Sequence, residues 1–259
     1  ADAVVLFTAD EGALAKPHPY GLFAFPADAD PETAALAVLA RLSGFLQERT
    51  AAWDHRVARV NPVYCRACGT CQEVCEFGAV EVVQDETGRE RAVVNEAACQ
   101  GCGACVARCP SGALTLGYGG DAEVEAALEA MLTAWREQRD EAPVVAFVCN
   151  WDAYRALEEM GRHRLAYPPN VLPFRVMCLG RLSTGMLLKA FELGASKVLM
   201  LGCGTDDCHF GFGSRRVEEV YEQAKAVLKL LGFGGRLRME KVGARDVERM
   251  REVLQKARA

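Results

Sequence analysis

No apolar run in this sequence approaches the ~20 residues needed to cross a bilayer as a helix, so an integral helical membrane protein is not expected. Nor is there a surplus of positive charge: 30 Lys and Arg stand against 35 Asp and Glu, a formal net charge of −5. With a pI near 5.5, nucleic acid and anionic membrane are poor candidates for the main partner. Histidine is scarce, with four residues, and His18, His55 and His163 stand isolated from any candidate acid–base partner. A histidine-centred catalytic site is therefore not expected. No positively charged start leads into an apolar stretch of the export type. The expected compartment is accordingly a reducing cytoplasm, where thiols stay unpaired. With 51% hydrophobic and 25% charged residues, the balance is that of a globular protein.

Cysteine, by contrast, is abundant: twelve residues fall into three sets of four. Cys65, Cys68, Cys71 and Cys75 have the spacing C-x2-C-x2-C-x3-C, and Cys99, Cys102, Cys105 and Cys109 repeat it 34 positions later. The repeat extends beyond the thiols, matching Gly69 with Gly103, Gly78 with Gly112 and Ala79 with Ala113. This is the spacing of bacterial-type 4Fe–4S runs, in which the fourth Cys of each run ligates the other cluster. Three thiolates from one tight loop leave a corner of the cluster unfilled, and the remote Cys interlocks the two halves. The expected ligand sets are Cys65, Cys68, Cys71 and Cys109 for one cluster, and Cys99, Cys102, Cys105 and Cys75 for the other. A disulfide framework would need an oxidising compartment and usually a short secreted chain. Paired zinc sites prefer C-x2-C units separated by a longer loop, not four Cys within eleven residues, twice. One position departs from the pattern. Pro110 follows the last Cys of the second run, but Glu76 follows the last Cys of the first.

Three blocks follow from the patterning. Residues 1–60 hold a short strand over 3–8, a Pro/Gly-rich stretch to Pro26, and a helix entered at an Asp30 N-cap with Pro31 in its first turn. Leu36, Leu39, Leu42, Leu46 and Trp53 are placed on one side of that helix. Residues 61–118 are the ferredoxin-like repeat, with short strands at 79–83, 92–94 and 113–116. Residues 119–259 alternate helix and strand, the signature of an α/β layer with a mostly parallel sheet. Strands are expected at 144–148, 172–177, 197–201 and 237–242. Asp121 is expected to cap the first helix of this block, and further helices run over 152–160, from Ser183 to Gly194, over 214–231 and at the charged C-terminus. The fold class is thus α+β in the two-cluster ferredoxin module and α/β in the block behind it.

The third set is Cys149, Cys178, Cys203 and Cys208. The first three follow successive strands of the α/β block, and parallel strands deliver their C-terminal ends to one edge, where α/β folds bind ligands. Cys208 lies in the loop before the next helix, within reach of a fourth position. Four thiolates suit a 2Fe–2S cluster, a 4Fe–4S cluster or structural zinc. The plain alternative is a group of buried core cysteines. His209 adjoins Cys208 and is read as a surrounding or exposed loop residue in preference to a ligand. Gly202 and Gly204 are placed to let backbone amides approach sulfur. For Arg181, three residues past Cys178, a solvated side chain is the default and charge compensation at a cluster the sharper alternative.

With those residues placed, a family resemblance emerges. Residues 144–258 resemble the delta subunit of methyl-viologen-reducing hydrogenase in Val148-Cys149-Asn150-Trp151, Arg175-Val176-Met177-Cys178-Leu179-Gly180-Arg181, Leu187 with Lys189-Ala190-Phe191, Gly194-Ala195, and Leu201-Gly202-Cys203 with Asp207-Cys208-His209. The resemblance implies a 2Fe–2S cluster on the third set and a link from a hydrogenase or formate dehydrogenase to heterodisulfide reductase. Members commonly carry another Cys after the Asn-Trp pair, where this chain has Asp152. Residues 1–118 resemble the C-terminal part of the A-subunit of heterodisulfide reductase, and 20–25 look like the end of its flavin-binding domain. The G-x-G-x-x-G start of such a domain is missing. The resemblance therefore assigns FAD to a partner or to sequence N-terminal to this chain. The order of the two parts is similar to that in the B-subunit of the quinone-interacting membrane-bound oxidoreductase complex.

These observations together imply an electron-relay subunit with two 4Fe–4S clusters and one 2Fe–2S cluster and no substrate site of its own. The implied partners are a flavoprotein and heterodisulfide reductase-like subunits, with hydrogenase, formate dehydrogenase or ferredoxin as donor or acceptor. A catalytic flavoprotein fragment and a zinc-clamped adaptor are the competing readings.

Overall fold

The computed structural model describes residues 4–8, 22–26, 30, 57–117, 119–204 and 208–257. The chain divides into two units, Ala1–Ala52 and Trp53–Ala259. In the first, strands β1 (Val4–Thr8) and β2 (Leu22–Pro26) pair in parallel, Val4 opposite Leu22 and Thr8 opposite Pro26. The helix expected after Asp30, with Leu36, Leu39, Leu42, Leu46 and Trp53, lies outside the described residues.

The second unit opens with the cysteine repeat. Strand β3 (Ala58–Val60) pairs antiparallel with the last strand of the repeat, β6 (Leu114–Leu116). Strands β4 (Val80–Gln84) and β5 (Glu90–Val94) form a second antiparallel pair. Each half of the repeat contributes a one-turn helix, α1 (Thr70–Glu73) or α2 (Ala104–Ala107). The sequence repeat is also a repeat of backbone conformation. Gly69 and Gly103 both enter their helix at φ 79°, a left-handed conformation that only glycine adopts without steric cost. The matched Ala79 and Ala113 are both buried. Strand β3 precedes the repeat and has no sequence signature of its own. It forms because β6 would otherwise present an unpaired edge, and Ala58 opposite Leu116 closes it.

Behind the repeat, strands β7 (Val144–Cys149), β8 (Val171–Val176), β9 (Lys197–Gly202) and β10 (Leu237–Lys241) form a parallel sheet of order β10-β9-β7-β8. Every residue of β7 is buried, as expected for a parallel strand covered on both faces. Val145, Phe147 and Cys149 join a core with helices α3 (Asp121–Gln138), α5 (Thr184–Glu192) and α6 (Gly213–Leu230). Val144, Ala146 and Val148 face the other way, to α4 (Ala153–Arg162) and α7 (Val247–Ala257). This two-residue alternation sends Cys149 to the α3, α5 and α6 side. From β7 the chain moves outward to β8, then returns to the opposite flank for β9 and β10. The direction of winding reverses between β7 and β9, which is the switch point where α/β sheets bind ligands.

Local expectations held at Ser183, whose Oγ accepts a hydrogen bond from the Met186 amide at 3.1 Å. Asp121 is not the cap of α3: Gly120 occupies that position, and the Asp121 carboxylate is bound elsewhere. Among the described residues no helix is long and apolar enough to cross a membrane. Helix α3 is held to the sheet by Val124, Leu128 and Leu132, the last two with no exposed surface. Leu132→Ala should therefore lower the stability of the α/β block by about 2–5 kcal/mol. Denaturant unfolding would measure this, and a loss below ~1 kcal/mol would refute the packing described.

Candidate metal centres

The eight repeat cysteines group across the repeat, not within it. Cys65, Cys68, Cys71 and Cys109 line one pocket. Cys75, Cys99, Cys102 and Cys105 line a second. Backbone amides approach the sulfurs: Ala92 N lies 3.4 Å from Cys65 Sγ, Ala79 N 3.3 Å from Cys75 Sγ, and Ala58 N 3.4 Å from Cys99 Sγ. Such N–H···S contacts favour the thiolate and tune a bound cluster. Burial works in the other direction. It pushes the Cys105 thiol up to about 12, with the charges of Cys102, Cys99 and Cys75 adding to the effect. Crowded buried thiols ionise only against a compensating cation, which is the chemistry of a metal–thiolate site. Cys68 differs in lying exposed at the edge of the first set.

The third set assembles at the switch point. Cys149 at the end of β7 and Cys203 just past β9 place their sulfurs 3.3 Å apart. Cys178 precedes a 3-10 turn (Leu179–Arg181), and its Sγ accepts from the Gly180 amide at 3.3 Å. Cys178 and Cys208 both lie against the first residue of α6: a Cβ built on Gly213 would clash with Cys178 Sγ and sit 3.5 Å from Cys208 Sγ. Glycine is needed here for close approach. The N-terminus of this 18-residue helix is thereby aimed at two sulfurs, and its positive end favours thiolate. Burial pushes the Cys178 thiol up to about 12. The Cys203 thiol is raised too, first by its hydrogen bond to Cys149 and then by burial. The Cys149 thiol is lowered, chiefly by the same contact. The donor set, the Gly213 cradle and the helix N-terminus fit a metal–sulfur group that Cys149, Cys178, Cys203 and Cys208 could hold. Among the described residues, no three Cys, His, Asp or Glu side chains converge tightly enough for a single metal ion.

Gly204 and Arg181 act otherwise than the sequence suggests, whereas His209 is exposed, in line with a loop residue that is not a ligand. The Gly204 amide donates to Asp152 Oδ2 at 2.9 Å and not to sulfur. Asp152 thus ties the start of α4 to the Cys203 loop. His209 stacks on Trp151, with ring centroids 3.5 Å apart. Arg181 is not solvated. It is 3% exposed, its Nη2 donates to Asp121 Oδ1 at 2.8 Å, and burial lowers its pKa while Asp121 opposes that shift.

The second cysteine set also abuts the third, a relation the sequence does not state. Charge on Cys102 disfavours charge on Cys178. Around this contact Phe77 packs edge-on against Phe210 and Phe212, with both centroid separations 5.7 Å. Glu76 accepts from Arg216 Nη2 at 3.2 Å, and Arg108 pairs with Glu219. The departure at Glu76 from the proline of the other run was the one available signal of this junction.

A twin-loop cysteine repeat on antiparallel strand pairs, joined to a parallel sheet with cysteines at its switch point, defines a metal–sulfur protein of ferredoxin-plus-α/β build. Residues 64–113 match the 4Fe–4S dicluster domain, and residues 144–259 match the methyl-viologen-reducing hydrogenase delta subunit. The chain is 34% identical over 115 residues to the iron-sulfur D-subunit of the F420-non-reducing hydrogenase vhu of Methanococcus maripaludis, covering 44% of this chain and 86% of that protein. It is 39% identical over 198 residues to the A-subunit of the ferredoxin:CoB-CoM heterodisulfide reductase of Methanosarcina mazei, covering 76% of this chain. The match covers 24% of that reductase protein, so the chain spans about a quarter of its length. The corresponding A-subunit of the ferredoxin/F(420)H(2)-dependent CoB-CoM heterodisulfide reductase of Methanosarcina acetivorans is 36% identical over 197 residues, 76% of this chain and 24% of that protein. The chain belongs to the methyl-viologen-reducing hydrogenase delta subunit family, its delta-type block preceded by a 4Fe–4S dicluster domain.

The Gly213 cradle generates a test. Gly213→Ala should strip metal from the third set while leaving the ferredoxin-type signals in place. Gly185→Ala, whose new Cβ would meet only Ser183 Oγ at 3.7 Å, serves as the control. Metal analysis with electron paramagnetic resonance reads both, and full metal content in the Gly213 variant would show that the sulfurs are not held there.

Proposed function

We propose that this chain is an iron–sulfur electron-transfer subunit of a heterodisulfide reductase- or hydrogenase-like oxidoreductase complex. In this reading it binds two 4Fe–4S clusters and one 2Fe–2S cluster and has no substrate site of its own. The observation that carries it is the gathering of eight cysteines into two crossed sets of four, with four more at the switch point. All twelve are free thiols, which accords with a reducing cytoplasm. When bound, the clusters supply one-electron storage and transfer. The chain's own residues hold them by thiolate, direct amides at sulfur, bury Cys149, Cys178 and Cys203 of the third set, and leave Cys68 at the surface.

The resemblance of residues 144–259 to the hydrogenase delta subunit favours 2Fe–2S over zinc at the third set. Two thiolates on one tetrahedral ion with ~2.3 Å bonds lie ~3.8 Å apart, close to the 3.3 Å between Cys149 and Cys203. Cys178 and Cys208 both lie beside Gly213. The names of the relatives point to partners of the heterodisulfide reductase and hydrogenase type. A flavoprotein is among the proposed partners, with FAD on it or on sequence preceding this chain. Hydrogenase, formate dehydrogenase or ferredoxin is the proposed donor or acceptor.

Metal analysis should give about ten irons per chain, the sum for two 4Fe–4S clusters and one 2Fe–2S. Zinc in place of two of those irons would turn the reading of the third set to a structural clamp. Separately, Cys75→Ala should remove or convert the centre shared with Cys99, Cys102 and Cys105. If spectroscopy instead places the loss at the centre of Cys65, Cys68 and Cys71, the crossed assignment is wrong.

A further inference from the structure

Arg181 is the one buried charged residue among the described residues, with 3% of its surface exposed. It closes the turn that begins beyond Cys178, its amide donating to the Cys178 carbonyl at 3.2 Å. On its other side it presses on the second ferredoxin loop. A Cβ placed on Gly103, between Cys102 and Cys105, would meet Arg181 Cβ at 2.7 Å and Nε at 3.4 Å. The guanidinium makes one ion pair, through Nη2 to Asp121, whose own side chain is 47% exposed. The buried Nε has no hydrogen-bond partner among the described residues. A positive charge is thus held next to the second cysteine set, away from the screening of water, paired with the half-exposed Asp121 and offset further by Glu123.

We propose that Arg181 raises the reduction potential of the cluster held by Cys75, Cys99, Cys102 and Cys105 and leaves that of the cluster held by Cys65, Cys68, Cys71 and Cys109 unchanged. The inference rests on the cluster assignment above. Reduction adds a negative charge to a cluster, and a fixed positive charge in a medium of low dielectric stabilises that added charge. Net charge and hydrogen bonding around the sulfurs are the protein's means of setting such potentials. Gly103 makes the approach close, since any side chain there would displace Arg181. Asp121 acts in the opposite sense, because it offsets part of the guanidinium charge. The first set has no such neighbour among the described contacts of Arg181, so it serves as an internal reference.

The test is a redox titration followed by electron paramagnetic resonance on the full chain and on Arg181→Gln, Arg181→Lys and Asp121→Asn. In Arg181→Gln the midpoint of the signal that Cys75→Ala abolishes should fall, while the other 4Fe–4S signal stays in place. Arg181→Lys keeps the charge and should restore most of the shift. Asp121→Asn should move the same signal upward. Equal shifts of both signals, no shift in either variant, or a lysine variant that behaves as glutamine would overturn the proposal. If Arg181→Gln does not fold, the sign of the shift in Asp121→Asn decides the matter, because that side chain is half-exposed. Should the wild-type ferredoxin module hold well under about eight irons, the cluster assignment itself fails. Full iron with unmoved potentials sinks only the role of Arg181.

Discussion

The close packing of the Cys102–Gly103 loop on the turn Leu179–Arg181 is the contact on which the rest of this unit depends. It requires a residue without a side chain at Gly103 and a folded, buried arginine opposite it. Once made, it sets the second cysteine set against the third, and their thiols disfavour one another's charge. The ring of Phe77, Phe210 and Phe212 and the pairs from Glu76 and Arg108 to α6 then close around it. Exposed ion pairs contribute little on their own, ~0–1 kcal/mol each. The aromatic packing and the buried turn are the stronger part of this junction. The pairs select orientation by placing a carboxylate next to Cys75 and an arginine near Cys109, each opposite a complementary charge on the same helix.

Polar groups near the metal centres are diverted from the local roles their positions suggest. Asp121 stands at the start of a helix, yet its carboxylate serves Arg181. Asp152 also stands at a helix start, yet it receives the Gly204 amide from across the sheet. In both cases a long-range donor outcompetes the helix's own amides. A buried guanidinium or an amide beside crowded sulfurs is costly to leave unpaired, whereas a helix amide at an exposed end can be satisfied by water.

Much was legible in the chain. The thiol spacing announced two crossed sets, and the matched glycines and alanines marked the same turns and the same buried positions twice. Strand and helix periods in 144–257 placed the sheet elements within a residue or two. The strand ends placed Cys149, Cys178 and Cys203 on one rim. What escaped was short or non-local. Strand β3 has three residues and no pattern. Gly213 looks like any helix-start glycine, and only the sulfurs across from it give it a purpose. Arg181 reads as a surface residue because nothing nearby in sequence covers it. Its cover comes from Gly103 and Asp121, 78 and 60 positions away.

The sequence by itself determined where the thiols that are candidate ligands fall, because ligand spacing within a loop and the alternation of a buried strand are local properties of the chain. It also determined the class of each block, since hydrophobic period and turn residues act over a few positions. Only the tertiary structure decided how those sites relate: that β7 and β9 are neighbours, that Cys149 meets Cys203 across the switch point, and that the second cysteine set rather than the first abuts the third. These facts depend on strand order and on which surfaces fit one another. Strand order is chosen by the burial of whole faces, and fit by the loss of a side chain at Gly103 and Gly213. Neither leaves a mark in any single stretch of sequence.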